Sequence, residues 1–358
     1  MSRLLVIQDR LRHGGSESHS VWLAGAMGAA GVTTRLLTFR PGGALAARAT
    51  AAGIDRVALQ PFDTGLDWFA PGLARAAAAF RPDAVLLMGK LANARAATVR
   101  RAVPAARLVG SVRTGFALPH FVRRALPVTD RIVCNAAKVA GAVVAAGIGR
   151  ERIVVIPNPP VRPVPPPDPV LRVSTRAACG AGPATVAMVS VAGFRAKKGQ
   201  AHLIRALAAA NAPRLVLWLV GDGPERGACE RLAASLGVAD RVVFAGYRED
   251  PEAYFAGADL AVMASETDAM PNALSEAQLR GLPVIAWDFG GCGETFEDGV
   301  SGWLTPFGDT AALGAAMRRL ADDDALRSRY AAAAACSAPG RFSAEAALDA
   351  YRRVFGFR

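Results

Sequence analysis

The stretch I-P-N-P-P-V-R-P-V-P-P-P-D-P-V, residues 156–170, divides the chain. Proline fixes φ and has no N–H, so such a run is neither helix interior nor central strand. It reads as a stiff interdomain linker. Working outward, the same pattern lies on both sides. Before it, R-L-L-V-I-Q (3–8), T-R-L-L-T-F (34–39), A-V-L-L-M-G (84–89), R-L-V-G-S-V (107–112), R-I-V-C-N-A (131–136) and R-I-V-V-I-P (152–157) alternate with Ala-rich helical stretches. After it come T-V-A-M-V-S-V-A (185–192), R-L-V-L-W-L-V-G (214–221), R-V-V-F-A-G-Y (241–247), D-L-A-V-M-A-S (259–265), P-V-I-A-W-D (283–288) and G-W-L-T-P (302–306). These runs are nearly continuously apolar, as parallel strands covered on both faces are. The expected fold class is therefore α/β: two Rossmann-like, doubly wound parallel-sheet domains facing across a cleft. The domains are expected over 1–165 and 166–342, and 358 residues is more than one core usually serves.

The composition, 52% hydrophobic and 20% charged, is that of an ordinary globular protein. Five cysteines, at 134, 179, 229, 292 and 336, are far apart and form no C-x-x-C. That argues against a disulfide framework or zinc knuckle and for a reducing compartment. The N-terminus, M-S-R-L-L-V-I-Q-D, lacks the apolar region of a signal peptide. The longest apolar candidate, around Val21 to Val32, is well short of the ~20 residues of a spanning helix. We expect a cytoplasmic protein, soluble or peripheral on a membrane face. Charge is lopsided: residues 1–165 carry 22 Lys and Arg against 8 Asp and Glu, a balance of +14, and the remainder has 20 against 22, a balance of −2. Such a field draws anionic partners, although a merely solvated basic surface is the plainer reading. Aromatics are few and no recognition module is evident, so nucleic acid is not an expected partner.

The distinctive motifs each follow a strand, where ligands of doubly wound sheets bind. R-L-R-H-G-G-S-E (10–17) places Gly14 and Gly15 before a helix opening at Ser16, a geometry suited to an anion or to a plain turn. V-A-G-F-R-A-K-K-G-Q (191–200) sets Arg195 and Lys198 three apart, a planar fork and a point charge that suit a diphosphate. G-D-G-P-E-R-G (221–227) fails the dinucleotide fingerprint, with Arg226 where glycine is required. It reads as turn chemistry, with Asp222 and Pro224 starting a helix. In S-E-T-D-A-M-P-N-A-L-S-E-A (265–277), Asp268 ends one strand's exit and Glu276 rides the next helix. Backbone amides around Met270, Pro271, Asn272 and Ala273 suit a phosphate or sugar, and Glu276 can accept both hydroxyls of a ribose. G-G-C-G-E-T (290–295) offers Glu294 as an acceptor near a helix start, or only a tight turn.

Taken together, G-G-S-E, V-A-G-F-R-A-K-K-G, G-D-G-P, R-V-V-F-A-G-Y, D-A-M-P-N-A-L-S-E-A, G-L-P-V-I-A and E-D-G-V-S-G-W-L follow an order and spacing of high specificity. The chain resembles a retaining glycosyltransferase of the GT-B fold, similar to family 4 (glycosyl transferases group 1). The resemblance is strong from Val189 to Pro306 and weaker before residue 130. It implies that Asp268 touches the transferred sugar, Glu276 holds the ribose, and Arg195 and Lys198 neutralise the leaving diphosphate. It places Tyr247 and Arg248 beside the base, and the Gly14–Gly15 loop on the phosphate. It also implies that residues 343–358 form a helix packing back on the first domain.

Two departures from the family pattern stand out. The first acid is usually Glu, and here it is Asp268. Many relatives carry a His after the fourth strand, where S-V-R-T-G-F (111–116) offers Arg113, with His120 only later. Arg113 in that place favours an anionic sugar or acceptor. The resemblance implies transfer from a nucleotide-sugar donor, UDP-sugar before GDP-sugar, without a cofactor or a metal. The basic first domain becomes the acceptor side, with a glycan or lipid-linked acceptor at an anionic membrane surface and a place in polysaccharide or lipopolysaccharide biosynthesis. A nucleotide-sugar epimerase and a non-catalytic carbohydrate-binding relative are the alternatives.

Overall fold

The computed structural model describes residues 1–113 and 118–357. The chain divides into two units, Met1–Val161 with Ser343–Arg358, and Arg162–Phe342. In the first, β1 (Arg3–Gln8), β2 (Thr33–Thr38), β3 (Asp55–Ala58), β4 (Ala84–Met88), β5 (Arg107–Val112), β6 (Arg131–Cys134) and β7 (Ile153–Val155) form one parallel sheet, ordered β3-β2-β1-β4-β5-β6-β7. In the second, β8 (Val186–Val191), β9 (Leu215–Val220), β10 (Val242–Gly246), β11 (Leu260–Met263), β12 (Val284–Trp287) and β13 (Gly302–Thr305) form another, ordered β10-β9-β8-β11-β12-β13.

The unbroken apolar runs have a direct cause. Successive side chains of a strand point to opposite faces, and both faces are covered. In the first unit Leu4, Val6, Leu86 and Val109 feed one core while Leu5, Ile7, Val85 and Leu108 feed the other. In the second, Met188, Leu217 and Val262 oppose Ala187, Val189 and Trp218. Each fully buried aliphatic contributes roughly 1.5–3 kcal/mol. The helix Ala344–Phe355 lays Ala347, Tyr351, Val354 and Phe355 into the first unit's core, so the last segment of the chain completes the first domain.

Two local features depart from the sequence reading. β3 is a seventh strand: D-R-V-A is short, polar at its start and only half-buried, because it closes the sheet edge. The end of the proline run is not extended, since Pro169 and Val170 open the helix Pro169–Ala178. Proline is welcome at a first helical position, where its N–H has no intrahelical partner. Asp168 caps that helix by accepting from the N–H of Val170 at 2.9 Å and of Leu171 at 3.0 Å. Arg172 and Arg176 then bind Asp259, which also accepts from the N–H of Ala187 at 2.8 Å. The division between units falls between Val161, whose carbonyl accepts from Arg48 at 2.8 Å, and Arg162, which pairs with Asp250 at 3.6 Å.

Candidate active site

All strands of each sheet are parallel, so every loop leaving a carboxyl end lies along one edge. In the second unit that edge carries, from β10 to β12, Tyr247 and Arg248, the 221–224 turn, Arg195 and Lys198, Asp268 to Ala273, and Glu294. The order of connection reverses between β8 and β11, the crevice where doubly wound sheets bind ligands. Lys198 and Asp268 meet there, with Nζ donating to Oδ1 at 2.6 Å.

The loop after β8 is held from both sides. Gly199, at φ +81°, starts the helix Gln200–Ala210 where a Cβ would stand 1.9 Å from the Ala264 carbonyl oxygen, and the N–H of Glu266 donates to Lys197 O at 2.8 Å. Only glycine permits that approach. On the other side Gly221, at φ +148°, sits where a Cβ would be 2.1 Å from Ala192 O. The N–H of Phe194 donates to Asp222 O at 2.9 Å, and that of Gly221 to Gly246 O at 2.9 Å. The 221–224 turn thus does more than start a helix, which begins only at Arg226. It fixes the loop that carries Arg195.

Lys198 and Asp268 are each about one-quarter exposed (26% and 22%), a pair open enough for another partner to compete. Arg195 is exposed, forms no ion pair among the described residues, and lines a cavity of about 470 Å³ with Arg205, Arg231, Glu225 and Glu266. The structure therefore joins Lys198 to Asp268 and leaves Arg195 outside that contact. Glu276 is half-buried on the helix Asn272–Gln278. Burial pushes its carboxyl up, against the pull of Arg280 and Arg162. Its carboxylate makes no hydrogen bond or ion pair among the described residues, since Arg280 is taken by Glu252. Met270 and Pro271 are buried, Asn272 and Ala273 half-buried, and the helix has no side-chain cap. Tyr247 is about half exposed, and Arg248 donates to the Tyr254 hydroxyl at 3.3 Å. Glu294 ends the short turn Cys292–Glu294. Among the described residues no group of three or more His, Cys, Asp or Glu is placed to hold a metal ion.

In the first unit the helix begins at Gly15 with Gly14 as its cap residue. Gly14 is extended, at φ −168°, a conformation open to any residue, but a Cβ there would crowd the Glu17 carboxylate. Arg113, at the end of β5, lines a small crevice with Ser16, Lys90 and Ser111. Its guanidinium is nonetheless buried and committed elsewhere, donating to the Tyr351 hydroxyl at 3.2 Å and to Asn158 Oδ1. No carboxylate pairs with it among the described residues. The Tyr351 oxygen also lies 3.0 Å from His19 Nε2. Burial holds the His19 imidazole well below its ordinary pKa, so it is neutral. His120 opens the short helix His120–Ala125; Thr114, Gly115 and Phe116 of the S-V-R-T-G-F motif lie outside the described residues.

Sequence reasoning missed this buried group, and it missed Asp9. That carboxylate leaves β1 at the point where this sheet's order reverses, and accepts from the N–H of Ala92 at 2.6 Å and of Leu91 at 3.3 Å. Burial pushes its pKa up to about 7. The available signal was an acid directly ending an apolar first strand.

A family model described as Glycosyl transferases group 1 matches residues 185–323, and one described as Glycosyltransferase Family 4 matches residues 13–159. The chain is 35% identical over 167 residues to the lipopolysaccharide core biosynthesis glycosyltransferase LpsE of Rhizobium meliloti, covering 47% of this chain and 48% of that one. It is 34% identical over 168 residues to a GDP-mannose-dependent alpha-(1-6)-phosphatidylinositol monomannoside mannosyltransferase of Mycolicibacterium smegmatis, covering 44% of each. The chain spans about half the length of the curated relatives it matches. Among solved structures, Anabaena HepE in complex with UDP and glucose superposes with a TM-score of 0.86 at 23% identity, over 99% of this chain and 100% of that one.

Proposed function

The chain belongs to the group 1 glycosyltransferases, and from that premise we propose that it transfers a sugar, with retained anomeric configuration, from a nucleotide diphosphate donor to a lipid-linked or polysaccharide acceptor in cell-envelope glycan synthesis. The observation carrying this reading is the Lys198–Asp268 contact at the β8/β11 crevice, with Glu276 eight residues further along. A diphosphate arriving there competes with Asp268 for the Lys198 ammonium. Arg195, free of any carboxylate, swings to the same anion. Together the two cations stabilise the charge that develops as the sugar–phosphate bond breaks, in the place of a metal ion.

Released from Lys198, Asp268 accepts a hydroxyl of the transferred sugar. Glu276 accepts from the ribose hydroxyls, which supplies the partners its carboxylate lacks. Tyr247 and Arg248 border the base, the N–H groups of Met270, Asn272 and Ala273 on either side of Pro271 serve the phosphate or sugar, and Glu294 adds an acceptor. The Gly14–Gly15 turn and Arg113 belong to the acceptor side. In a front-face reaction a phosphate oxygen of the leaving group takes the acceptor hydroxyl's proton. A UDP-sugar is the favoured donor, supported by the UDP and glucose bound to HepE, with GDP-sugar the alternative, supported by the mannosyltransferase relative. The basic first unit supports action at the inner face of a membrane.

The test is direct. Purified protein is incubated with UDP- and GDP-sugars, with and without membrane glycolipid, while nucleotide release is followed and the product's anomeric signal is read by NMR. Nucleotide release with a retained anomer is expected. An inverted anomer, donor isomerisation without acceptor, or no turnover of any donor overturns the reading.

A further inference from the structure

Among the described residues, the largest concentration of exposed apolar side chains lies on the first unit. The loop that follows β3 presents Phe62, Leu66, Trp68 and Phe69, exposed by 69, 43, 57 and 37%. The loop is not loose. Buried Gln60 donates to the carbonyls of Leu66 at 2.9 Å and Phe69 at 2.6 Å and accepts from the Thr64 hydroxyl at 2.8 Å. Arg40 grips Asp63 through both carboxylate oxygens and Asp67 at 2.7 Å, and Arg10 reaches Asp67 at 3.1 Å. Both acids of the loop are thus neutralised at its base, while the aromatic tips stay in water at a cost that some partner must offset.

A second element continues the face. Arg95 donates to the Trp68 carbonyl at 2.6 Å, directly after the helix Lys90–Ala94, and that helix packs against the helix His120–Ala125. There Phe121 is 46% exposed, beside exposed Arg123 and Arg124. Lys90, Arg123 and Arg124 have no ion-pair partner among the described residues. Separate aromatic tips on a stiff loop, with acids masked and unpaired cations alongside, match the two signals of interfacial membrane binding, apolar insertion and attraction to anionic lipid. A flat or grooved protein interface would bring complementary acids or a continuous apolar surface, and this face has neither.

We propose that Phe62, Leu66, Trp68 and Phe121 enter the headgroup–acyl boundary of an anionic bilayer while Lys90, Arg123 and Arg124 contact its headgroups. The proposal rests on the transferase reading only in taking the acceptor to be lipid-borne. It specifies which surface meets the membrane.

The test is flotation of the full chain with vesicles of phosphatidylcholine, alone or mixed with phosphatidylglycerol, at low and high salt, alongside donor hydrolysis in solution. Wild-type protein is expected to bind the mixed vesicles, with Trp68 fluorescence quenched by brominated acyl chains. A Phe62→Ser, Trp68→Ser double variant loses about 100-fold in partition at either salt, on the order of tenfold per aromatic. Arg123→Glu with Arg124→Glu loses at least about tenfold, mainly at low salt. Donor hydrolysis stays unchanged in both, and its loss in the wild type would indict the transferase reading alone. Binding by the aromatic variant within twofold of wild type overturns the proposal. So does a wild type that ignores both vesicles, or a lipid-free dimer that the aromatic variant converts to monomer.

Discussion

The carboxyl-edge crevices of the two sheets solve one problem in opposite ways. Both must hold a cation where the strand order reverses or close beside it. At the second sheet Lys198 meets a carboxylate, Asp268, in a contact that is one-quarter exposed, so either partner can be exchanged for another ion at little cost. At the first sheet Arg113 is buried against neutral groups, Tyr351 and Asn158, and no carboxylate compensates it among the described residues. A buried charge held by dipoles cannot be traded without leaving polar groups unsatisfied. One edge is built to change partners, and the other to stay as it is.

The sharpest way to break that contrast is through Lys198. Lys198→Ala removes the cation proposed to stabilise the departing diphosphate, and transfer is expected to fall by ~10²–10³. Asp268→Asn separates the roles: it releases Lys198, so nucleoside diphosphate binding holds or tightens while transfer falls. Calorimetric titration with the diphosphate beside a steady-state assay reads both. Weaker diphosphate binding in Asp268→Asn, or full activity in Lys198→Ala, would mean the pair is only structural.

A second test concerns Asp9, the acid of the first edge. Its folded pKa of about 7 lies above the ordinary aspartate value of 3.8, so between those limits the folded chain binds more protons than the unfolded one. Stability linked to Asp9 is therefore full near pH 4 and lost as pH rises through about 7, by on the order of 2–4 kcal/mol. Asp9→Asn cannot titrate. The Tm of Asp9→Asn should rise relative to that of wild type as pH increases from 4 to 7, and the difference should level off above pH 7. A difference independent of pH removes Asp9 from any account of the first edge's electrostatics.

The contrast also explains what the sequence could reveal. The second edge is built from short-range chemistry: a strand, a glycine-punctuated turn, then charged residues within a few positions, as in Arg195, Lys198 and the 268–276 span. Among the described residues twelve of thirteen strands were legible because burial on both faces leaves an unbroken apolar run, whereas the polar edge strand β3 leaves none. The first edge depends on partners far apart in sequence. Arg113 meets a tyrosine 238 positions away and His19 one 332 away, and no local pattern announces such meetings. Arg113 was legible as a cation at a strand end; the direction its guanidinium takes was not.

Tyr351→Phe gives the smallest effect and the most specific one. The change removes a single oxygen that accepts from Arg113 and lies in hydrogen-bond contact with His19, and it leaves the ring's packing against Phe355 in place. Losing that partner in a buried site costs ~1–3 kcal/mol. The first unit alone should register it, because the helix Ala344–Phe355 belongs there. Scanning calorimetry should show that unit's transition falling by several degrees, at ~2–4 °C per kcal/mol, while the second unit's stays fixed. Diphosphate affinity should not change. If both transitions move together, or neither does, the buried Arg113 is held by something other than the tyrosine, and the two edges are more alike than their geometry suggests.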